Sequence, residues 1–125
     1  MKQYQAREPV PGYHVNGELT LGENIADNSG LAIAYQAYRL SLGGAQAPVI
    51  DGLTGDQRFY MGWAQVWRDK SRESATIMQL TSDPHAPGMY RGSLPLMNQQ
   101  PFYDAFDVRP GDRMYLPPQQ RVRLW

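Results

Sequence analysis

Apolar side chains recur every three or four residues from Leu21 to about Leu42, which is the spacing of one face of an α-helix. The shared stripe consists of Glu23, Asp27, Leu31, Ala34, Tyr35, Tyr38 and Leu42. Gly43 and Gly44 follow directly and predict the end of the helix. The pattern therefore predicts one long helix whose buried face begins with two carboxylates.

Two further segments predict helices on similar grounds. Thr54 and Gln57 have the spacing of a capping box, and the helix after them places five side chains on one face: Phe59, Trp63, Val66, Trp67 and Lys70. The two tryptophans in that set indicate core packing. A short third helix is predicted from Pro101 to Phe106, with proline in its first turn.

The rest of the chain is punctuated by proline and glycine. No regular element is predicted in the first nineteen residues, and "DPHAPGMYRGS" predicts a rigid, multiply turned loop. The fold class predicted is mainly α, with about three helices and long structured loops. Because loops beyond ~12 to 15 residues are uncommon in a compact domain, this pattern indicates a piece of a larger helical protein.

Composition narrows the classes of function. The 125 residues hold 12 Lys plus Arg, 12 Asp plus Glu and no cysteine. Balanced charge without a basic block argues against nucleic acid as a partner. No apolar run approaches the ~18 residues of a transmembrane helix, and the absence of cysteine excludes disulfides and cysteine-based metal sites.

Glu23 and Asp27 lie one helical turn apart, so their side chains share a face. One interpretation is a helix start, in which Thr20 and Glu23 form a capping box and Asp27 is solvated near the positive end of the helix dipole. The other is a metal site in which one carboxylate binds zinc and the second orients a ligating histidine. An acid and base pair for glycoside cleavage is a poorer match for a single helical turn. Spacing alone does not choose between the first two.

His85 lies between Pro84 and Pro87, which restrict the backbone on both sides. His85 is therefore a candidate functional residue held by a rigid loop, and the alternative interpretation is an ordinary loop histidine without a function. Arg91 follows six residues later and offers a bidentate fork for a carbonyl or carboxylate, or else a salt bridge to Asp83. His14 has no supporting context and is interpreted as structural.

Five segments together resemble the C-terminal segment of the neprilysin and endothelin-converting-enzyme family of zinc metalloendopeptidases. They are "VNGELTLGENIADNSGLAIAYQAY", "DGLTGDQRFYMGWAQVWRDK", "DPHAPGMYR", "FYDAFDVRPGDRMYLPP" and the terminal "RVRLW". The similarity runs from about Val15 to Trp125. Its most specific part is "GENIAD" followed downstream by "DPH-x-P-G-x-x-R" and a closing tryptophan.

The resemblance implies a role for each candidate residue. Glu23 matches the family's third zinc ligand, and Asp27 matches the aspartate that orients a ligating histidine. His85 matches the histidine that stabilises the oxyanion of the tetrahedral intermediate, and Arg91 matches the arginine that binds a substrate backbone carbonyl. The implied activity is hydrolysis of peptide bonds by zinc-activated water.

The chain departs from the family pattern at one decisive point, because it contains no H-E-x-x-H sequence. Two zinc ligands and the general-base glutamate are therefore missing. We expect residues 1–125 to be the C-terminal part of a larger zincin-type catalytic domain, inactive alone and unable to retain the single zinc ion of the full-length enzyme. The missing cysteines favour a bacterial homologue, in the cell envelope or secreted rather than cytoplasmic.

Two expectations concern partners. The parent enzyme takes a peptide substrate, and the surface that would pack on the missing ligand helix should make this chain self-associate. The alternative function is a small stand-alone helical module that binds or regulates a partner without catalysis.

Overall fold

A computed structural model describes residues 1–124, and the closing Trp125 that contributes to the resemblance lies outside the described residues. Six α-helices follow one another along the chain: α1 (Lys2–Gln5), α2 (Leu21–Ser41), α3 (Gly55–Val66), α4 (Glu73–Ser82), α5 (Gly88–Arg91) and α6 (Gln100–Phe106). Two 3₁₀ turns cover Leu96–Asn98 and Pro118–Gln120. The described residues form no strand, only two isolated bridges. The mainly α prediction is confirmed.

The three predicted helices are present as α2, α3 and α6. The capping box of α3 is complete, since the Thr54 hydroxyl accepts from the Gln57 backbone N–H and the Gln57 side chain accepts from the Thr54 N–H. Gly55 allows this entry, because a Cβ there would lie 2.1 Å from the Tyr38 hydroxyl. The predicted core stripe of α3 is wrong at its C-terminal end, where the helix stops at Val66, which is 74% exposed.

The structure also contains helices that the pattern missed. The expectation of no regular element in the first nineteen residues is wrong, because α1 forms around the buried Tyr4. Helix α4 buries only Leu80, so its sequence carries little periodicity. In the loop predicted between α4 and α6, the single turn α5 begins directly after Pro87, which is its N-cap residue.

Two apolar clusters make up the core. One joins α1, α4 and the loops around them through Tyr4, Val15, Leu80, Ala86, Leu94 and Met97. The other packs α2, α3 and α6 together through Leu31, Tyr60, Leu96, Phe102 and Tyr103. Leu96 and Met97 are adjacent in the first 3₁₀ turn, so this turn connects the two clusters.

Asn98, at the end of that turn, is a buried polar junction. Its amide nitrogen donates to Asn28 Oδ1 at 2.8 Å and to Gln3 Oε1 at 3.0 Å. Its amide oxygen accepts from Gln3 Nε2 at 2.9 Å and from the Val122 backbone N–H at 2.9 Å. One side chain therefore ties α1, α2 and the C-terminal segment together. No helix in residues 1–124 is long and apolar enough to cross a membrane.

Candidate active site

Helix α2 presents the two carboxylates to a common space, but with very different environments. The Asp27 side chain is 7% exposed, whereas the Glu23 side chain is 39% exposed. Thr20 does not cap the helix with its side chain. Its hydroxyl instead donates to the Asn16 carbonyl and accepts from Asn24 Nδ2. The interpretation as a capping box with a solvated Asp27 is therefore wrong.

Asp27 forms a largely buried ion pair with Arg91 of α5, 64 residues further along the chain. Arg91 Nε donates to Asp27 Oδ2 at 2.7 Å and Nη2 donates to Oδ1 at 2.8 Å. Paired donors of this kind suit a carboxylate better than any single ammonium group. These hydrogen bonds raise the pKa of Arg91 above its usual value, so the guanidinium stays charged. The alternative of an Arg91 salt bridge to Asp83 is not what the structure shows.

His85 stands in the same space, between two carboxylates. Its Nε2 lies 3.2 Å from Glu23 Oε2, and its Nδ1 lies 2.8 Å from Asp83 Oδ1. The His85 backbone N–H also donates to Asp83 Oδ1 at 2.8 Å, so one carboxylate fixes both the loop and the ring. The backbone hydrogen bond, followed by the one from the ring, lowers the pKa of Asp83. Gln79 of α4 holds the other side of this loop by donating to the His85 carbonyl at 3.2 Å.

The four predicted residues therefore meet. Arg91 Nη2 also lies 3.9 Å from Glu23 Oε2, which links five side chains in an open series of contacts: Asp83, His85, Glu23, Arg91 and Asp27. Tyr4 adjoins this group, and burial, then the charge of Asp27, raises the pKa of its hydroxyl. Of the two histidines, His14 is exposed and absent from this set of contacts.

Sequence reasoning missed three residues of the site. Asp83 was considered only as a partner for Arg91, yet its position two residues before His85 is the spacing of an Asx turn. Trp63 of α3 and Trp67, which directly follows that helix, are predicted to lie in the core because they are large and apolar. In the structure, Trp63 Nε1 donates to the Arg91 carbonyl at 3.2 Å, and the Trp67 ring lies 4.0 Å from the Arg91 guanidinium carbon.

The metal-binding capacity of the site follows from its donors. Within residues 1–124, no group of three His, Cys, Asp or Glu side chains is placed to hold a metal ion. Both Asp27 oxygens already accept from Arg91. Glu23 is the partly exposed carboxylate and suits one position in a zinc coordination sphere, since carboxylate oxygens are zinc donors. A catalytic zinc site has three protein ligands, and no three such side chains converge within residues 1–124.

The fold is that of a C-terminal piece of a zincin-type metallopeptidase. The sequence model described as peptidase family M13 matches residues 1–122. This chain belongs to that family.

Individual relatives agree with this assignment. Neprilysin-3 of Drosophila melanogaster is 36% identical over 99% of this chain, and endothelin-converting enzyme 1 of Mus musculus is 39% identical over 100% of it. Each match covers only 16% of the relative. The crystal structure of Mycobacterium tuberculosis zinc metalloprotease Zmp1 with an inhibitor superposes with a TM-score of 0.96 at 52% identity, covering 99% of this chain and 20% of that one. The higher identity with a bacterial protein agrees with the expectation of a bacterial homologue.

Proposed function

We propose that this chain supplies part of the active site of a zinc-dependent metalloendopeptidase that hydrolyses peptide bonds. The observation that carries the proposal is the convergence of Glu23 and Asp27 on α2 with His85 and Arg91, which lie about sixty residues later. These are the positions that match the functional residues of the family. The match to peptidase family M13 over residues 1–122 supports the same conclusion.

Family membership implies one zinc ion in the complete enzyme, with Glu23 as a ligand. When bound, zinc supplies Lewis-acid chemistry that polarises the scissile carbonyl and activates the attacking water. Glu23 suits this role because its carboxylate is accessible, while Asp27 is buried against Arg91. A carboxylate has about four lone-pair sites, so Asp27 retains the capacity to accept from a ligating histidine while it holds Arg91.

His85 would act on the charge that develops on the substrate. Asp83 holds the backbone N–H and Nδ1 of His85, which leaves Nε2 as the atom that faces the reaction space. In this structure Nε2 lies 3.2 Å from Glu23 Oε2; turned away from that carboxylate and protonated, it would donate to the oxyanion as it forms. Arg91 would hold the substrate through the end of its guanidinium fork, because Nε and one side of Nη2 are engaged by Asp27. Donors of this kind align a peptide carbonyl.

By itself the chain should be inactive and should not retain zinc. It contains no H-E-x-x-H sequence to provide two histidine ligands and the general base. We also propose that the chain self-associates through the outer face of α2, defined here by Ile25, Ile33 and Leu40. All three side chains are exposed, and no charged residue occurs between Asn28 and Tyr38. A second copy presents the same uncharged, apolar face, so two copies can pack against each other through it.

Substitutions in the complete enzyme test these roles. Glu23→Ala should abolish both zinc retention and peptide hydrolysis, because a ligand is lost. His85→Ala should leave zinc bound and lower turnover by ~10²- to 10³-fold, the usual effect of losing one oxyanion donor. Metal content per protein and hydrolysis of a peptide are measured on the same samples.

The control is His14→Ala, which removes the exposed histidine and should change neither quantity. Calorimetry of zinc on this chain alone should show no site tighter than micromolar. Loss of zinc from His85→Ala would show that His85 is a ligand, and a nanomolar site in the isolated chain would contradict the single-ligand assignment.

A further inference from the structure

The pair with Asp27 sets the direction of the Arg91 guanidinium within its own plane. It does not prevent the guanidinium plane from tilting. Arginine has five N–H donors in a planar fork. Nε and Nη2 donate side-on to the two oxygens of Asp27. Within residues 1–124, Nη1 donates no hydrogen bond, so the end of the fork stays available. A bidentate pair sets the direction of that end within the plane, yet it allows the plane to tilt about the carboxylate.

Trp67 blocks this tilt on one side. Its ring centroid lies 4.0 Å from the Arg91 guanidinium carbon, which lies over the ring and well within the ~6 Å range of a cation–π contact. The contact is largely desolvated, since the Arg91 side chain is 15% exposed. The carboxylate therefore fixes the guanidinium in its plane, and the indole restrains it perpendicular to that plane.

The position of Trp67 is itself set by two glycines, one at the start of α5 and one directly after it. A Cβ on Gly92 would lie 3.1 Å from Trp67 Cβ, and a Cβ on Gly88 would lie 2.9 Å from the Trp67 carbonyl oxygen. Both glycines thus permit the end of α3 to lie directly against α5. Trp63 adds a second attachment, because its Nε1 donates to the Arg91 carbonyl and its ring packs edge-on to Trp67 at 5.6 Å.

We propose that Trp67 is a positioning residue, which orients the free end of the Arg91 fork toward the substrate carbonyl. This inference rests on the proposed function for its catalytic meaning. The contact itself can be measured in the present chain. Trp67→Phe keeps an aromatic face, whereas Trp67→Leu keeps apolar volume without one. The pair of variants therefore separates stacking from simple packing.

The first experiment uses this chain with ¹⁵N-labelled arginine. The Arg91 Nε–H signal should carry a ring-current shift and exchange slowly with water. Trp67→Leu should remove the shift and speed exchange by about tenfold, while Trp67→Phe should retain most of the protection. Gly92→Ala should partly reproduce the effect of Trp67→Leu by displacing the ring. Gly62→Ala on α3 is the matched control, because a Cβ there meets nothing within 4 Å. An Arg91 signal that is unchanged in Trp67→Leu would overturn the proposal.

The second experiment uses the complete enzyme. Trp67→Leu should lower kcat/KM for a peptide by about tenfold, chiefly by raising KM, and Trp67→Phe should restore most of the loss. In an Arg91→Lys background, Trp67→Leu should have little further effect, because both changes act on one contact. A fall in kcat with KM unchanged is the signature of lost folded enzyme and would contradict positioning. If the unaltered enzyme hydrolyses no peptide, the proposed function is wrong. The NMR experiment still tests whether Trp67 restrains Arg91.

Discussion

At the scale of single residues, the site shows how environment separates two carboxylates that share a helix face. Asp27 is buried and paired with the Arg91 guanidinium, whereas Glu23 is accessible and faces the His85 imidazole. A charge buried without a partner would destabilise the fold by several kcal/mol. Arg91 removes that penalty for Asp27, so Glu23 is the carboxylate of the pair that remains available for coordination.

The role of Asp83 in ordering the loop can be tested by varying the pH. Hydrogen bonds from the His85 backbone N–H and ring lower the pKa of Asp83, so its contribution to loop order is present above the usual carboxyl value of ~3.9 and is lost as pH falls through the lowered value. We expect the His85 backbone amide to stay protected from exchange through the usual carboxyl range and to lose protection only as pH falls through the lowered pKa of Asp83.

Asp83→Asn is the matched variant, since its amide oxygen still accepts from the His85 N–H but carries no charge. The acid transition at His85 should disappear in this variant, while the signals of the buried Tyr60 stay unchanged over the same range. An identical transition in Asp83→Asn would show that another carboxylate controls the loop.

At the scale of elements, a helix could be predicted where the sequence carries a local signal for it. Helix α3 was predicted because its capping box is local, and α2 because its stripe repeats over five turns. Helices α1 and α4 each bury one side chain, Tyr4 and Leu80, so their stability depends on contacts that no local pattern records.

The candidate site also has a part that the sequence predicts and a part that depends on contacts between distant residues. Glu23, Asp27, His85 and Arg91 were identified from motifs, but spacing could not show that Asp27 and Arg91 pair across 64 positions. The role of Trp67 was equally hidden, because a large apolar residue on a helix stripe usually indicates core. Stacking on an arginine depends on two glycines about twenty residues later.

The capping box makes a quantitative prediction for α3. Thr54→Ala removes the acceptor for the Gln57 backbone N–H and should lower the free energy of unfolding by about 1 kcal/mol. Urea denaturation followed by tryptophan fluorescence measures the change. Thr81→Ala, at an exposed position late in α4, should stay within about 0.5 kcal/mol of the unaltered chain. Equal losses from both changes would show that the box does not stabilise α3.

At the scale of the whole molecule, the exposed side of α2 is the feature that does not suit an isolated chain. Ile33 and Leu40 are 57% and 80% exposed, and small residues such as Ala26, Gly30 and Ala37 share their side of the helix. Small side chains allow another backbone to approach closely. The chain spans 20% of the Zmp1 chain on which it superposes, so such a surface is expected of a part of a larger fold.

Self-association is the corresponding prediction. Sedimentation at micromolar concentrations should show dimers or larger species, and Ile33→Glu should shift the chain to monomer because a charge cannot be buried between two copies. Met78→Glu, at a 65% exposed position on α4, is the control and should leave the association unchanged. A monomer at all concentrations for the unaltered chain would contradict the proposal.

The hydrogen bonds of Asn98 affect how the two ends of the described chain unfold. Gln3 bonds to Asn98 and to the Gln120 carbonyl, and Val122 bonds to Asn98, so both ends of the described chain depend on one buried amide. Fraying at either end strips partners from that amide and leaves it unsatisfied in the interior, which is unfavourable. The first and last turns should therefore open as a single cooperative unit, although 117 positions separate Gln3 from Gln120.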